Sequence, residues 1–222
     1  MAAAKTKKIV ILGTGGNCID ILDIVNDIND ARGGCVCECA GFLDDDESKW
    51  GQEICGVKVL GPLSFAPKCG DCFFINGIGS PSNFRVRQTI IAKTDVGLDR
   101  FETLIHPTAC VSRLSRLGRG TVIFPKVTIA SQVQVGNHVL ILPGSVVSHN
   151  DVVGDYSLIA SGACISGNVR IGQSRYIGAN ASITSAISIG DYCLIGMGAV
   201  VLRHVPDYAV MVGNPAMCLR TT

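Results

Sequence analysis

The sequence predicts an α/β unit followed by an all-β parallel solenoid, and three observations predict it. A six-residue aliphatic period runs without a break from Val111 to Val201. Ahead of it, a buried-strand run enters a glycine turn and then an apolar helical segment. Only 17% of the 222 residues are charged, which suits a chain with a large core in one or two domains.

The period is the strongest of these. It begins Val111, Leu117, Ile123, Ile129 and ends Ile189, Ile195, Val201, sixteen positions in all. The residue after each is usually small, as at Gly118, Ala130, Gly136 and Gly154, and the fourth after each is often small or β-branched, as at Thr121, Val127 and Ser145. An inward aliphatic with a small neighbour at a tight corner describes a β-solenoid, in which each repeat packs against the next along one axis. Three hexads close one triangular coil, so the sixteen give about five coils. The solenoid domain is set at residues 106–222.

Residues 1–105 read differently. Lys7 to Leu12 is a buried parallel strand entering Gly13, and Gly13-Thr14-Gly15-Gly16 opens a helix with Ile19, Leu22, Val25 and Ile28 inward. Further strands are expected at Ala40-Gly-Phe42-Leu43 before Asp44 and Asp45, and at Cys72 to Ile75 before Gly77-Ile-Gly79. A second helix follows Pro81-Ser82 through Phe84, Val86 and Ile90-Ile91. This is the βαβ plan, with ligands at the carboxyl ends of the strands. The third glycine of a dinucleotide fingerprint would fall at Cys18, and the unit is short for a complete dinucleotide fold. A partial, Rossmann-like nucleotide-binding unit fits better.

Charge and cysteine content exclude other classes. With 19 basic and 18 acidic side chains there is no basic tract of the kind that neutralises nucleic-acid phosphates. The basic start, Met1 to Lys8, is followed by too short an apolar run for a signal core or a membrane span, so the cytoplasm is expected. The eleven cysteines then read as free thiols. Cys35, Cys37 and Cys39 alternate as on one strand face, and Cys69-Gly-Asp-Cys72 runs into a strand rather than opening a helix, so both groups read as packed thiols and no metal is expected.

Ser148-His149-Asn150-Asp151 interrupts the aliphatic repeat. Asp151 is fifth in its hexad, where the other repeats prefer Val, Ala, Ser or Thr, and a charge there is costly without partners. His138 and His204, each fourth in a hexad, are expected on the outer surface, and His106 at the domain junction is expected to be structural.

Together the halves resemble the sugar-nucleotide N-acetyltransferases of the left-handed β-helix, hexapeptide-repeat superfamily, which act on nucleotide-linked 4-amino-4,6-dideoxyhexoses and are related to sialic-acid O-acetyltransferase-like proteins. The matching residues are Gly13-Thr-Gly15-Gly16, Phe42-Leu43-Asp44-Asp45, Ile78-Gly79 with Arg85, Ile105-His106-Pro107, Ser148-His149, Ser166-Gly167-Asn168 and Gly213-Asn214-Pro215-Ala216. The left hand of the helix comes from this resemblance. The resemblance implies a homotrimer with acetyl-coenzyme A in the groove between neighbouring solenoids. It makes His149 the general base, a task suited to a pKa near neutrality. The relatives commonly carry an acid directly after this histidine, where Asn150 stands here, so Asn150 and Asp151 are both candidates to orient the imidazole. By the same resemblance the Gly167 amide polarises the acetyl carbonyl. Ala179, Gly196 and Met197 line the pantetheine track, and Gly213 and Pro215 close over the nucleotide end of the coenzyme. Gly13, Thr14, Gly15, Gly16, Asp44, Asp45, Gly79 and Arg85 hold the nucleotide sugar, the glycine-loop amides sitting near the diphosphate. The relatives often carry a histidine where Asn17 stands.

Other readings explain less. A zinc site of the carbonic-anhydrase type needs three imidazoles around one metal, and His204 is far along the axis from His138 and His149. A scaffold leaves the polar hexad unexplained, and an NAD-dependent oxidoreductase leaves sixteen hexads idle. O-acetylation of a sugar or sialic acid hydroxyl is the nearest alternative, with surface-glycan biosynthesis as the setting of either.

Overall fold

The structure, a computed structural model, describes residues 6–221, so residues 1–5 of the basic start lie outside it. Strand β1 (Lys7–Leu12) leads through Gly13 into helix α1 (Gly16–Arg32), and β2 (Cys37–Leu43) returns parallel beside β1. A hairpin of β3 (Glu53–Ile54) and β4 (Val57–Gly61) follows, then β5 (Phe73–Asn76) on the other side of β1. The sheet order is β3-β4-β2-β1-β5, parallel except for the β3/β4 pair. The central strand is aliphatic because both faces are covered: Ile9 to Leu12 are all fully buried. Gly13 has φ +93° and a Cβ there would strike Ile78 Cγ1 at 2.6 Å, so the turn needs glycine on both counts.

Two helical expectations need correction. The buried face of α1 is Cys18, Ile21, Leu22, Ile24 and Val25, with Ile19 and Ile28 only half-buried. That face packs on β1 and β2, while the exposed Asp27 reaches the first coil through His106. The second helix is the short α2 (Arg87–Ala92). It leaves Val86 exposed and buries the guanidinium-bearing Arg87 instead, because a seam of backbone carbonyls lies beneath it.

The solenoid forms three parallel sheets of two-residue strands. The first face holds Leu104–Ile105, Val122–Ile123, Leu140–Ile141, Leu158–Ile159, Tyr176–Ile177 and Leu194–Ile195. The second runs from Cys110–Val111 to Val200–Val201, and the third from Arg116–Leu117 to Ser188–Ile189. Pairing therefore begins at Leu104. The strands pair at eighteen-residue spacing, as in Ile129 with Val147 and Val147 with Ile165. The aliphatic positions from Ile123 onward are buried in the lumen. Each corner from Gly120 to Gly198 turns through one residue of positive φ, fourth in its hexad: Gln132 (62°), Asn150 (62°) and Asn168 (63°) along one edge are examples. Asparagine accepts that conformation more readily than most residues. Ala209–Val212 and Met217–Thr221 close the first face as an antiparallel pair, with a cis bond between Asn214 and Pro215.

The prism has three edges with separate uses. The α/β unit docks on the edge between the third and first faces. There Arg87 donates to the carbonyls of Ile78 (2.9 Å), Tyr156 (2.6 Å) and Ser157 (3.0 Å). Phe84 packs on Tyr176, and Phe101 meets His138 edge-on. His106 ties α1 to the first coil, its Nε2 lying 2.7 Å from Asp27 Oδ2. His138, expected on the outer surface, is buried here, stacked on Tyr156 at 5.3 Å. Its fourth position does point outward, but this edge is covered by the α/β unit. His204 is exposed as expected.

Candidate active site

His149 stands on the edge between the second and third faces, at a corner where Ser148 to Asp151 join Val146–Val147 to Val152–Val153. The side chain is exposed. Beneath its ring lies Gly167, eighteen residues on: a Cβ there would meet His149 Cε1 at 2.5 Å and Nε2 at 2.7 Å. Among the described residues the Gly167 N–H donates to no protein acceptor. The structure thus sets an imidazole beside an uncommitted backbone donor, the two groups that base-assisted attack on a carbonyl requires.

Asn150 sits beside the ring. Its amide nitrogen lies 3.2 Å from His149 Nδ1 and donates to Asn168 Oδ1 at 3.2 Å. Asp151 does not reach the imidazole. It points into the solenoid wall and is fully buried, its Oδ1 accepting the Val169 N–H at 2.8 Å. Burial pushes its carboxyl up from 3.8 to about 7, opposed by the backbone N–H groups of Val169 and Ser148. Of the two orienting candidates, only Asn150 touches His149.

A second recess lies at the carboxyl ends of β1, β2 and β5. It encloses about 550 Å³ and is walled by Gly13 to Asn17, Asp44, Asp45, Gly77 to Ser80, Asn83 and Lys93. Thr14 donates its hydroxyl to Asp44 Oδ2 at 2.5 Å, and Lys49 reaches the same oxygen at 3.3 Å. Asp45 accepts from Leu63 N at 3.0 Å and from Lys93 Nζ at 2.7 Å, and its carboxyl is held below its usual range by those partners against the opposing effect of burial. Asn17 donates its amide to the Gly79 carbonyl at 3.0 Å. The glycine loop, both aspartates and Gly79 therefore share one cavity. Arg85 is not part of it: Nε donates to the Tyr192 carbonyl at 3.0 Å and the guanidinium lies over Phe84, so it belongs to the docking seam. Sequence reading passed over Lys93, Ser80 and Asn83. Their signal was position alone, in segments that follow strands of a parallel sheet.

Ala179, Gly196 and Met197 lie on the third edge, between the first and second faces, with Met197 83% exposed. Gly213 and Pro215 continue past the last coil beside them: the Gly213 carbonyl accepts from Val200 N and Val212 packs near Gly196. This edge and the His149 edge flank the second face without meeting.

Among the described residues all eleven cysteines are free, and burial raises the thiols of Cys69 and Cys72 above their usual value. No group of three or more His, Cys, Asp or Glu among these residues is placed to hold a metal ion. No described helix is long and apolar enough to cross a membrane.

No family model matches the chain. The UDP-N-acetylbacillosamine N-acetyltransferase of Bacillus subtilis is 31% identical over 119 residues, 53% of this chain and 51% of that enzyme, so the chain matches about half the length of this curated relative. Among solved structures, the acetyltransferase domain of PglB from Neisseria gonorrhoeae is 27% identical with a TM-score of 0.80, covering 96% of this chain and all of that one. The same domain is also solved with acetyl coenzyme A. PerB from Caulobacter crescentus, solved with CoA and GDP-perosamine, is 26% identical with a TM-score of 0.81, covering 98% and 99% of the two chains. By sequence over about half of its length and by fold over nearly all of it, the chain is a homologue of acetyl-coenzyme-A-dependent sugar N-acetyltransferases.

Proposed function

We propose that the protein transfers the acetyl group of acetyl-coenzyme A to the amino group of a nucleotide-diphosphate-linked amino-dideoxysugar, a 4-amino-4,6-dideoxyhexose, in the cytoplasmic assembly of a surface glycan. The observation that carries this is the exposed His149 imidazole set over Gly167. In this reading residues 1–105 are a Rossmann-like nucleotide-sugar domain and residues 106–222 the acetyltransferase domain. The amides of Gly13 to Gly16 face the diphosphate, and Asp44, Asp45 and Lys93 take the nucleoside end.

His149 removes the proton as the amine nitrogen attacks the thioester carbonyl. The N–C bond forms, the C–S bond breaks, and the imidazolium returns the proton to the leaving thiolate. The Gly167 N–H faces the oxygen on which charge develops. Asn150 holds the ring but offers no charge to the imidazolium. Ala179, Gly196, Met197, Gly213 and Pro215 supply the coenzyme track.

The placement of the edges supports a homotrimer. Within one chain the nucleotide recess belongs to the unit docked on one edge, His149 stands on a second, and the coenzyme residues stand on the third. A homotrimer, with each His149 edge facing a neighbour, brings the three sets together. A monomer at working concentration on a sizing column refutes it.

The function is tested by thiol release from acetyl-coenzyme A with UDP-, GDP- and dTDP-linked amino-dideoxysugars, with sialic acid as the hydroxyl control. One nucleotide-linked amine should be turned over, and His149→Ala should fold yet lose about 10²- to 10⁴-fold in kcat. Turnover of a hydroxyl acceptor only would move the protein to O-acetylation, and silence on every acceptor would reject acetyl transfer.

A further inference from the structure

At the fifth residue of the hexad the solenoid repeats one side-chain device. Ser115, Thr121, Ser145 and Ser157 each donate a hydroxyl hydrogen to the carbonyl fifteen residues on, at 2.6–3.2 Å, as Thr103 does just ahead of the first hexad, and Arg175 does the same through Nε at 2.5 Å. Ser115, Thr121 and Ser157 also accept the amide eighteen residues on. The side chain bridges two backbone groups of the next coil.

Asp151 stands at the same position. Its Oδ1 makes the accepting half of the device, with Val169 N, eighteen residues on. Its Oδ2 is buried and, among the described residues, makes no hydrogen bond; the Ser148 N–H, the other backbone donor close to the carboxyl, is already committed to the Ile165 carbonyl at 3.1 Å. The carbonyl fifteen residues on is that of Ser166, to which no backbone group among the described residues donates. A carboxylate has no hydrogen for it, whereas a carboxylic acid has one. Burial favours the acid, lifting the group to about 7. Among the described residues nothing packed on the carboxyl supplies a compensating cation. Val133 and Val169 stack above and below it, Ser131 and Gln132 form the corner before, and Ser166 to Asn168 form the corner after. His149 lies on the outer side of its own corner, and Arg170 opens the next strand facing outward.

The Ser166 carbonyl and the Gly167 N–H belong to one peptide unit. A hydrogen bond to the carbonyl polarises that unit and makes its N–H a stronger donor. We propose that Asp151 is a positioning residue kept as the neutral acid, its Oδ2–H donating to the Ser166 carbonyl and so strengthening the Gly167 N–H beside His149. Ionisation removes the hydrogen and sets an anion against a carbonyl oxygen, so the device works at low pH and is lost as pH rises through about 7. The catalytic consequence rests on the acetyl-transfer reading; the hydrogen bond does not.

The experiment therefore has two arms. In the first, the Gly167 amide ¹H–¹⁵N resonance is followed from pH 5 to 9 in a His149→Gln background, which removes the imidazole titration. It should shift with a midpoint near 7 and stop shifting when Asp151→Asn is added; a Gly167 amide that does not move, or moves equally in both, overturns the proposal. In the second, kcat is measured against pH. The wild type should rise and then fall, Asp151→Asn and Asp151→Ser should keep the rise and lose the fall, and Asp151→Val should lose about three- to tenfold in kcat at pH 6.5 with KM unchanged. A fall that persists in Asp151→Asn also overturns it. A titrating amide in a protein that acetylates nothing would support the hydrogen bond and reject the acetyl-transfer reading alone. Valine fills the same hexad position at Val127, Val133 and Val139, so the Asp151→Val chain has a precedent for folding.

Discussion

The imidazole of His149 lies against the Cα of Gly167, close enough that a methyl group there would meet all three of Cε1, Nε2 and Nδ1 within 3.0 Å. Gly167→Ala should therefore fold, because the obstructing atoms belong to an exposed, movable ring, yet displace that ring. We expect a loss of about 10²-fold in kcat, with KM for the sugar nucleotide little changed. Steady-state kinetics on both substrates checks it, and wild-type kcat would refute the ring placement.

Asn150→Asp restores a carboxylate beside His149 Nδ1. An adjacent anion favours the imidazolium, so the midpoint of the rising limb of kcat/KM against pH should move up by about one unit. An unmoved limb would show that residue 150 does not face the ring during turnover.

His138 makes the protein sensitive to acid. Burial, aided by the charge of Arg87, pulls its pKa from 6.5 down to about 4. A depressed pKa means that its stability contribution is whole above about 6.5 and is lost as pH falls toward 4, at up to about 1.4 kcal/mol per unit. His138→Phe keeps a ring between Phe101 and Tyr156 without the titration. Urea midpoints at pH 7 and pH 5 should differ more in the wild type than in the variant.

Arg87 is fully buried, and burial draws its pKa down to about 9, so it remains cationic at neutral pH. Arg87→Met strips donors from the carbonyls of Ile78, Tyr156 and Ser157 across the seam. A loss of about 2–4 kcal/mol is expected. The α/β unit should then melt before the solenoid, splitting one calorimetric transition into two; a single unshifted transition would refute its role in docking.

The solenoid was legible in the sequence because each coil needs only the coils next to it, so the requirement for an inward aliphatic recurs at every sixth residue. His149 was legible as a polar interruption of that rule, and the glycine loop with Asp44 and Asp45 as the ends of apolar strands. The helix after Ser82 was less legible, since Val86 and Arg87 exchange the burial that apolarity alone assigns them. His138 carried the same outward position in its hexad as Asn150, and nothing within the repeat distinguishes a covered edge from a bare one.

By itself the sequence determined the periodic architecture, the glycine turn and the candidate base, all of which depend on residues close in the chain or repeated along it. Tertiary structure alone decided which edge the α/β unit covers, that Arg85 and Arg87 serve the seam, that Lys93 holds Asp45, and that Asp151 is buried in the solenoid wall on the Val169 amide rather than set against the imidazole. Those relations join residues brought together by packing and by burial of charge, and no local period encodes them.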